Sequence, residues 1–278
     1  MKKQKVWFIT GASKGLGLAL IRQLLAEGSK VAATSRHTEV LVNELGHENT
    51  ADFLPLQVEL ANEQSVVSAI LKTRQRFGKI DVVVNNAGYG IGGSIEELSD
   101  KETRDSFDIN VFGTMNVIRH VLPIMRSQSS GHIINISSIA GIAPSAGWSV
   151  YAAAKHAVIG LTEVLAEDVK SLGIQVTLIA PGSFRTNFNN PDSLVLAENT
   201  IDAYGHLHTL NHRFAAAGGT QAGDPEKAAK VMMEITEMDQ PPLYLLLGSD
   251  AYSRAMSKLE LLRSDYQQWK PLTQSTDF

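Results

Sequence analysis

Short apolar runs alternate along this 278-residue chain with longer stretches in which apolar positions recur every three or four residues. The runs fall at Val6–Thr10, Lys30–Thr34, Phe53–Val58, Ile80–Asn85, His132–Ser137, Gln175–Ala180 and Leu243–Gly248. Most are continuously apolar rather than alternating, as expected of parallel strands covered on both faces. The periodic stretches predict helices near residues 15–27, 62–77, 99–128, 149–172 and 224–238. Gly28, Gly78 and Gly173 stand where three of them should stop, and Asp224-Pro225-Glu226 offers the last an N-cap, a proline at N1 and an early acid. This alternation predicts an α/β fold, a doubly wound parallel sheet of about seven strands with helices on both faces. With no repeat or linker in view, residues 1–278 read as one domain.

Two segments break the pattern. Residues 183–223 contain no strand-like run and are far longer than an ordinary connection, yet carry Phe184, Phe188, Leu194, Val195, Leu196, Leu207, Leu210 and Phe214. They predict a partly helical lid over a site. In the tail, residues 250–278, apolar side chains recur at Ala255, Leu259, Leu262, Tyr266 and Trp269, which predicts an amphipathic helix packed on the body or on a partner subunit.

Composition narrows the function classes. A net charge of −4 gives no basic excess for nucleic acid. The absence of cysteine excludes disulfides, thiol nucleophiles and cysteine metal sites, and suits a reducing cytoplasm. The apolar run Val6–Ile9, after the lysines near the start, is too short for a signal peptide, and no stretch reaches the length of a membrane span. The chain reads as cytoplasmic, with a small molecule rather than a membrane or nucleic acid as its partner.

Thr10-Gly11-Ala-Ser13-Lys14-Gly15-Leu16-Gly17 joins the first predicted strand to the first helix. Glycines there let the backbone approach a pyrophosphate, and the helix N-terminus favours its charge, so the turn predicts a dinucleotide site. An acid at the end of the second strand would accept from a ribose 2′-hydroxyl; this chain has Arg36 instead, with Lys14 as a second cation, which favours NADP(H). Tyr151 and Lys155 lie one helical turn apart on one face. A tyrosine titrates near ~10, and an ammonium beside it would lower that value; reaching ~7 takes about 4 kcal/mol, which the ammonium together with a positive oxidised nicotinamide would supply in a dry site.

Thr10–Gly17, Asn85-Asn86-Ala87-Gly88, Asn110, Ser138, Tyr151-x-x-x-Lys155 and Pro181-Gly182 together resemble the short-chain dehydrogenase/reductase family, in matching order from residue 5 to about 250. The resemblance implies a Rossmann-type fold and hydride transfer between a nicotinamide and a carbonyl or secondary alcohol. Tyr151 would handle the proton, Lys155 would lower its pKa and bind the ribose, Ser138 would hold the substrate oxygen, and Asn110 would hold a relay water. Ser137 is a neighbour that strand alternation turns to the other face. Asn86, Ala87 and Gly88 would flank the adenine ribose, and Pro181, Gly182 and Thr186 the carboxamide. Glu59, beside Leu60, stands where the family often has Asp near the adenine. Tyr89, Ser145, Trp148, Phe184 and Phe188 are candidate substrate contacts. The resemblance also implies a homo-oligomer, a dimer rather than a tetramer given the extra tail. The rival reading is a binding protein that senses NADP(H) without turnover. No metal is expected: His206, His208 and His212 read as surface histidines.

Overall fold

A computed structural model describes residues 4–46 and 50–278, so Met1–Lys3, the start of the segment weighed as a signal peptide, lies outside the described residues. The strands are β1 (Val6–Ile9), β2 (Lys30–Ser35), β3 (Phe53–Gln57), β4 (Val82–Asn85), β5 (Gly90–Gly92), β6 (Gly131–Ile136), β7 (Ile174–Pro181), β8 (Leu194–Leu196) and β9 (Tyr244–Leu247). The helices are α1 (Gly15–Ala26), α2 (Thr38–Leu45), α3 (Glu63–Phe77), α4 (Asp100–Phe107), α5 (Gly113–Gln128), α6 (Ile139–Ile142), α7 (Ser149–Val169), α8 (Gly205–Ala216), α9 (Pro225–Ile235) and α10 (Ser249–Gln274). Among the described residues seven strands form one parallel sheet in the order β3-β2-β1-β4-β6-β7-β9. These are the seven apolar runs of the sequence.

Successive strand residues feed opposite faces. Trp7 and Ile9 pack with Leu20 and Leu24 of α1 and with Ala229 and Met232 of α9. Phe8 and Val83 pack on the other side with Val66 and Ile70 of α3, Val117 and Val121 of α5, and Leu165 of α7. Burial on both faces is why the strands read as unbroken apolar runs. Gly78 and Gly173 sit in the left-handed region past helix ends, as their positions suggested.

The predicted helix over 99–128 is interrupted by a π-helical turn at Asp108–Phe112. The long segment does hold a strand, contrary to expectation: β8 pairs in parallel with β5. Both are three residues long, and β5 is Gly-Ile-Gly, so β5 lacks a strand's composition and β8, Leu-Val-Leu, is too short to stand out. The glycines are there for room; a Cβ at Gly90 would stand 2.8 Å from the Phe188 ring, and one at Gly92 would stand 2.9 Å from Leu196.

The same segment is clamped to the body by carboxylates. Glu97, with its side chain 1% exposed, accepts from the backbone N–H groups of Ser94 (3.0 Å) and Ile201 (2.9 Å) and lies 2.5 Å from His208 Nε2 on α8. Tyr204 donates to Glu96 at 2.8 Å. His208 is therefore a half-buried hydrogen-bond partner of Glu97 rather than a surface histidine, while His206 and His212 are exposed. No cluster of metal-ligating side chains occurs among the described residues.

The tail forms one helix, but the expected packing on the body is confined to its start. Ala251 is buried, whereas Leu259, Tyr266 and Trp269 are 57%, 71% and 56% exposed. No helix among the described residues is long and apolar enough to cross a membrane.

Candidate active site

A cleft of about 1340 Å³ opens along the carboxyl ends of the sheet strands, where an open α/β sheet places its ligands. Its floor is the turn after β1. Gly11 has φ +63°, and a Cβ there would stand 2.6 Å from Ala87 Cα. Gly17 lies beneath the turn rather than in the cleft; a Cβ on it would meet Asn86 Nδ2 at 2.7 Å. The Asn86 amide donates to the carbonyls of Thr10 (3.0 Å) and Gly11 (2.9 Å), and the Thr10 hydroxyl accepts from the N–H groups of Asn86 and Ala87 at 3.1 and 3.0 Å. The loop after β4 thus ties down the glycine turn, and its Ala87 and Gly88 face the cleft. Gly11→Ala is expected to weaken nucleotide binding about tenfold or more, read by fluorescence titration with the reduced cofactor, because both the backbone and the neighbouring loop must shift.

Ser13, Lys14, Gly15 and Leu16 line the floor, with Arg36 after β2 and Glu59 and Leu60 after β3 along one end. Burial holds the Lys14 pKa below its ordinary value, Asp192 pulls it back up by less, and Arg36 is near enough for its charge to add the smallest of the three effects, a lowering. Pro181, Gly182 and Thr186 form the opposite wall, and Thr186 touches the glycine turn, 3.5 Å from where a Gly15 Cβ would be.

Ser138 follows β6 and caps α6, its Oγ accepting from the Ala140 N–H at 3.1 Å. Ser137 turns away and donates to the Lys155 carbonyl at 2.8 Å, as alternation predicted. Tyr151 and Lys155 lie on α7, both buried. Lys155 Nζ donates to the Ile136 carbonyl at 3.1 Å and stands 5.8 Å from the Tyr151 ring centre. Burial holds its pKa down at about 8. The expected lowering of the Tyr151 pKa is not found: burial pushes the phenol up to about 12, with the Ser138 hydroxyl pulling weakly the other way. Taking a phenolate out of water outweighs an ammonium that is not in contact with its oxygen.

Asn110 sits in the π turn, behind the cleft. Its amide donates to the carbonyls of Ser106 (2.9 Å) and Tyr89 (3.2 Å), while its buried Oδ1 has no partner. That oxygen and Lys155 Nζ crowd the same point: a Cβ on Gly88 would lie 2.5 Å from the first and 3.2 Å from the second. An orphaned buried acceptor beside an ammonium is a place where a water satisfies both.

Aromatic rings cover the hydroxyl groups. Trp148 and Phe188 stand 5.9 Å from the Tyr151 ring, and Phe214 of α8 stacks edge-on to Trp148 at 4.8 Å. Tyr89 and Ser145 line the cleft beside them, the Tyr89 hydroxyl held above its usual pKa chiefly by burial. Phe184 reaches the cleft only at its edge; its ring packs against Gly223 and the α1–α9 core.

The chain is similar to known proteins along most of its length. The family model described as short chain dehydrogenase matches residues 5–194. The chain belongs to the short-chain dehydrogenase family. An oxidoreductase of Botryotinia fuckeliana, BOA17, is 34% identical over 269 residues, 97% of this chain and 98% of its own. A short-chain dehydrogenase from Streptomyces avermitilis has a solved structure with TM-score 0.90 at 34% identity, covering 99% of this chain and 100% of that one. One from Burkholderia phymatum, solved with NAD, shares the fold at TM-score 0.83 and 24% identity, over 96% and 95% of the two chains.

Two site residues of this short-chain dehydrogenase escaped the sequence reading. Asp250, in the first turn of α10, accepts from the Ser183 N–H at 2.8 Å and lies so close over Gly182 that a Cβ there would fall 2.1 Å from its Oδ1. Arg254, one turn on, donates to the Ala143 carbonyl and to Ser145 Oγ. The useful signal was Asp250 and Arg254 at i, i+4 just past a strand end, hidden because the apolar stripe drew attention to the rest of the helix.

Proposed function

We propose that this oxidoreductase reduces a carbonyl compound to a secondary alcohol with NADPH. One observation carries the reading: Tyr151, Ser138 and Lys155 line the same cleft as the glycine turn, with the Ser138 hydroxyl against that of Tyr151 and Lys155 Nζ 5.8 Å from the tyrosine ring. The reduced nicotinamide, when bound, supplies the hydride for the carbonyl carbon. The chain's residues supply the rest. Tyr151, with a pKa near 12, is protonated at neutral pH and holds the proton that the carbonyl oxygen takes up. Ser138 orients that oxygen and stabilises its developing charge. The Lys155 ammonium opposes the negative charge left on Tyr151, and Asn110 Oδ1 with Lys155 Nζ frames a water through which the phenol regains its proton. The 183–223 segment acts as the lid, its Phe188 and Phe214 closing over an apolar substrate body.

Selectivity for the phosphorylated cofactor rests on Lys14 and Arg36, two neighbouring cations at the end of the cleft that a 2′-phosphate would neutralise. Arg36→Asp should lower the NADPH to NADH ratio of kcat/KM by about a hundredfold; an unchanged ratio removes Arg36 from the role. Consumption of NADPH with a panel of aromatic and aliphatic ketones tests the reaction itself. Tight NADPH binding with no turnover across the panel would instead mark a cofactor-sensing protein.

A further inference from the structure

Past its first turns, α10 stands away from the body. Ala251 is buried and Ala255, Lys258 and Leu262 are half-buried, but every residue in 263–274 is exposed. Tyr252, Leu259, Tyr266 and Trp269 are each more than half exposed, a density of large apolar side chains that marks an interaction surface. Taken with Ala255 and Leu262, they follow one another at steps of 3, 4, 3, 4 and 3 residues. That is the 3.5-residue repeat of a seam covered by a second helix, narrower than the stripe of a helix laid on a globular core.

Charge selects the partner. With Tyr252, Leu259 and Tyr266 at a and Ala255, Leu262 and Trp269 at d, Lys258 and Asp265 fall at g and Arg263 at e. Neither Lys258 nor Asp265 forms an ion pair among the described residues. Seven residues of helix, about 10 Å of rise, keep them from each other. In an antiparallel pair of α10 helices each a residue packs on a d residue of the other copy, and g faces g. Setting Leu259 on Leu262 of the other copy brings Tyr252 to Trp269, Ala255 to Tyr266 and Lys258 to Asp265, each twice across a two-fold axis. Sliding the pair by one heptad opposes Lys258 to Lys258 or Asp265 to Asp265, and a parallel pair opposes Lys258 to Arg263. Of these arrangements the first alone opposes no like charges.

We propose that α10 is the docking surface for α10 of a second copy of this chain, in that antiparallel register. The pairing lays the projecting half of each helix along the anchored half of the other, which covers the exposed rings of both. It concerns assembly and holds whatever the substrate.

Sedimentation of the full chain over a concentration series tests it. The wild type should self-associate, and Leu259→Glu with Tyr266→Glu should remove one step of assembly: dimer to monomer or, where another face also pairs, tetramer to dimer. Thermal unfolding of that variant should stay cooperative, since both positions are exposed. Lys258→Glu alone, or Asp265→Lys alone, should weaken the association about tenfold, because each opposes like charges twice, and the two together should restore it to within about threefold. A wild-type chain that stays monomeric overturns the proposal, as does an assembly indifferent to the Leu259 and Tyr266 changes. Failure of the double charge reversal to restore association overturns the register and the proposal with it. A monomer that floats with phosphatidylcholine vesicles would make this face a lipid contact, and also overturns it.

Discussion

Tyr151→Phe should cut turnover by about a thousandfold while leaving NADPH affinity within about twofold of the wild-type value. The substitution removes one oxygen from a ring wedged between Trp148 and Phe188, so the packing around it survives. What disappears is the proton donor. A positioned general acid contributes about 10²–10⁴ in rate, and no other hydroxyl in the cleft shares its seat beside Lys155. The pH profile of the wild-type protein adds a sign that the variant cannot mimic. Burial lowers the Lys155 pKa to about 8, so its ammonium is present below that pH and lost as pH rises through it. Since that charge offsets the phenolate formed on Tyr151, kcat for reduction should fall above about pH 8, long before the phenol itself, near 12, would titrate. Steady-state kinetics across pH 6–10 checks both parts (about four units, spanning the Lys155 value). A Tyr151→Phe enzyme with near-normal kcat would remove the residue from the chemistry.

Glu97→Ala should give the largest loss of stability of any substitution outside the sheet. The carboxylate is almost wholly enclosed, and three donors from three different stretches of chain point at it: Ser94 N–H, Ile201 N–H and His208 Nε2. Removing it leaves those donors buried without partners and uncouples α8 from the body. Thermal unfolding should begin several degrees lower. Hydrogen exchange should rise across 197–217 and not in β1 or β4. The pH dependence follows from the same contacts. His208 and the backbone donors hold the Glu97 pKa at about 2, below its ordinary 4.5. A carboxylate with a depressed folded-state pKa contributes stability that is complete above about 4.5 and disappears as the pH falls toward 2. The wild type should therefore loosen in that window more steeply than the variant.

Much of this was readable from residues alone. The seven sheet strands are apolar on both faces, and that is a pattern independent of neighbours. The turn after β1 and the Tyr151–Lys155 pair are local in sequence, so their geometry travels with them. What could not be read depends on distant partners. β5 is built from glycines that make room for Phe188 and Leu196, glycine carries no strand signal, and its partner β8 is only three residues long. The 2.5 Å contact between Glu97 and His208 joins positions 111 residues apart. The apolar stripe of α10 was real as a pattern, yet the side chains that matter to the site are Asp250 and Arg254, polar residues at its beginning. For the Tyr151 pKa, spacing shows that an ammonium is near, but it does not show the burial that pushes the phenol up to about 12 among the chain's own groups.

The π turn at Asp108–Phe112 lengthens the path of one helix by a single residue, and that has a consequence at the level of the gene. Removing one codon there, for instance that of Ile109, keeps the reading frame, the net charge and nearly the whole composition. It also returns the helix to regular winding with the segments on either side close to their original faces, because a π turn takes up one extra residue in a single wider turn. Val117, Val121 and Met125 would stay buried, while the wide turn that carries Asn110 would be lost and its Oδ1 would leave its place beside Lys155. A helix of this kind is not interchangeable with a straight one of the same length. Any transplant of this site into another scaffold has to carry the irregularity along with the side chains.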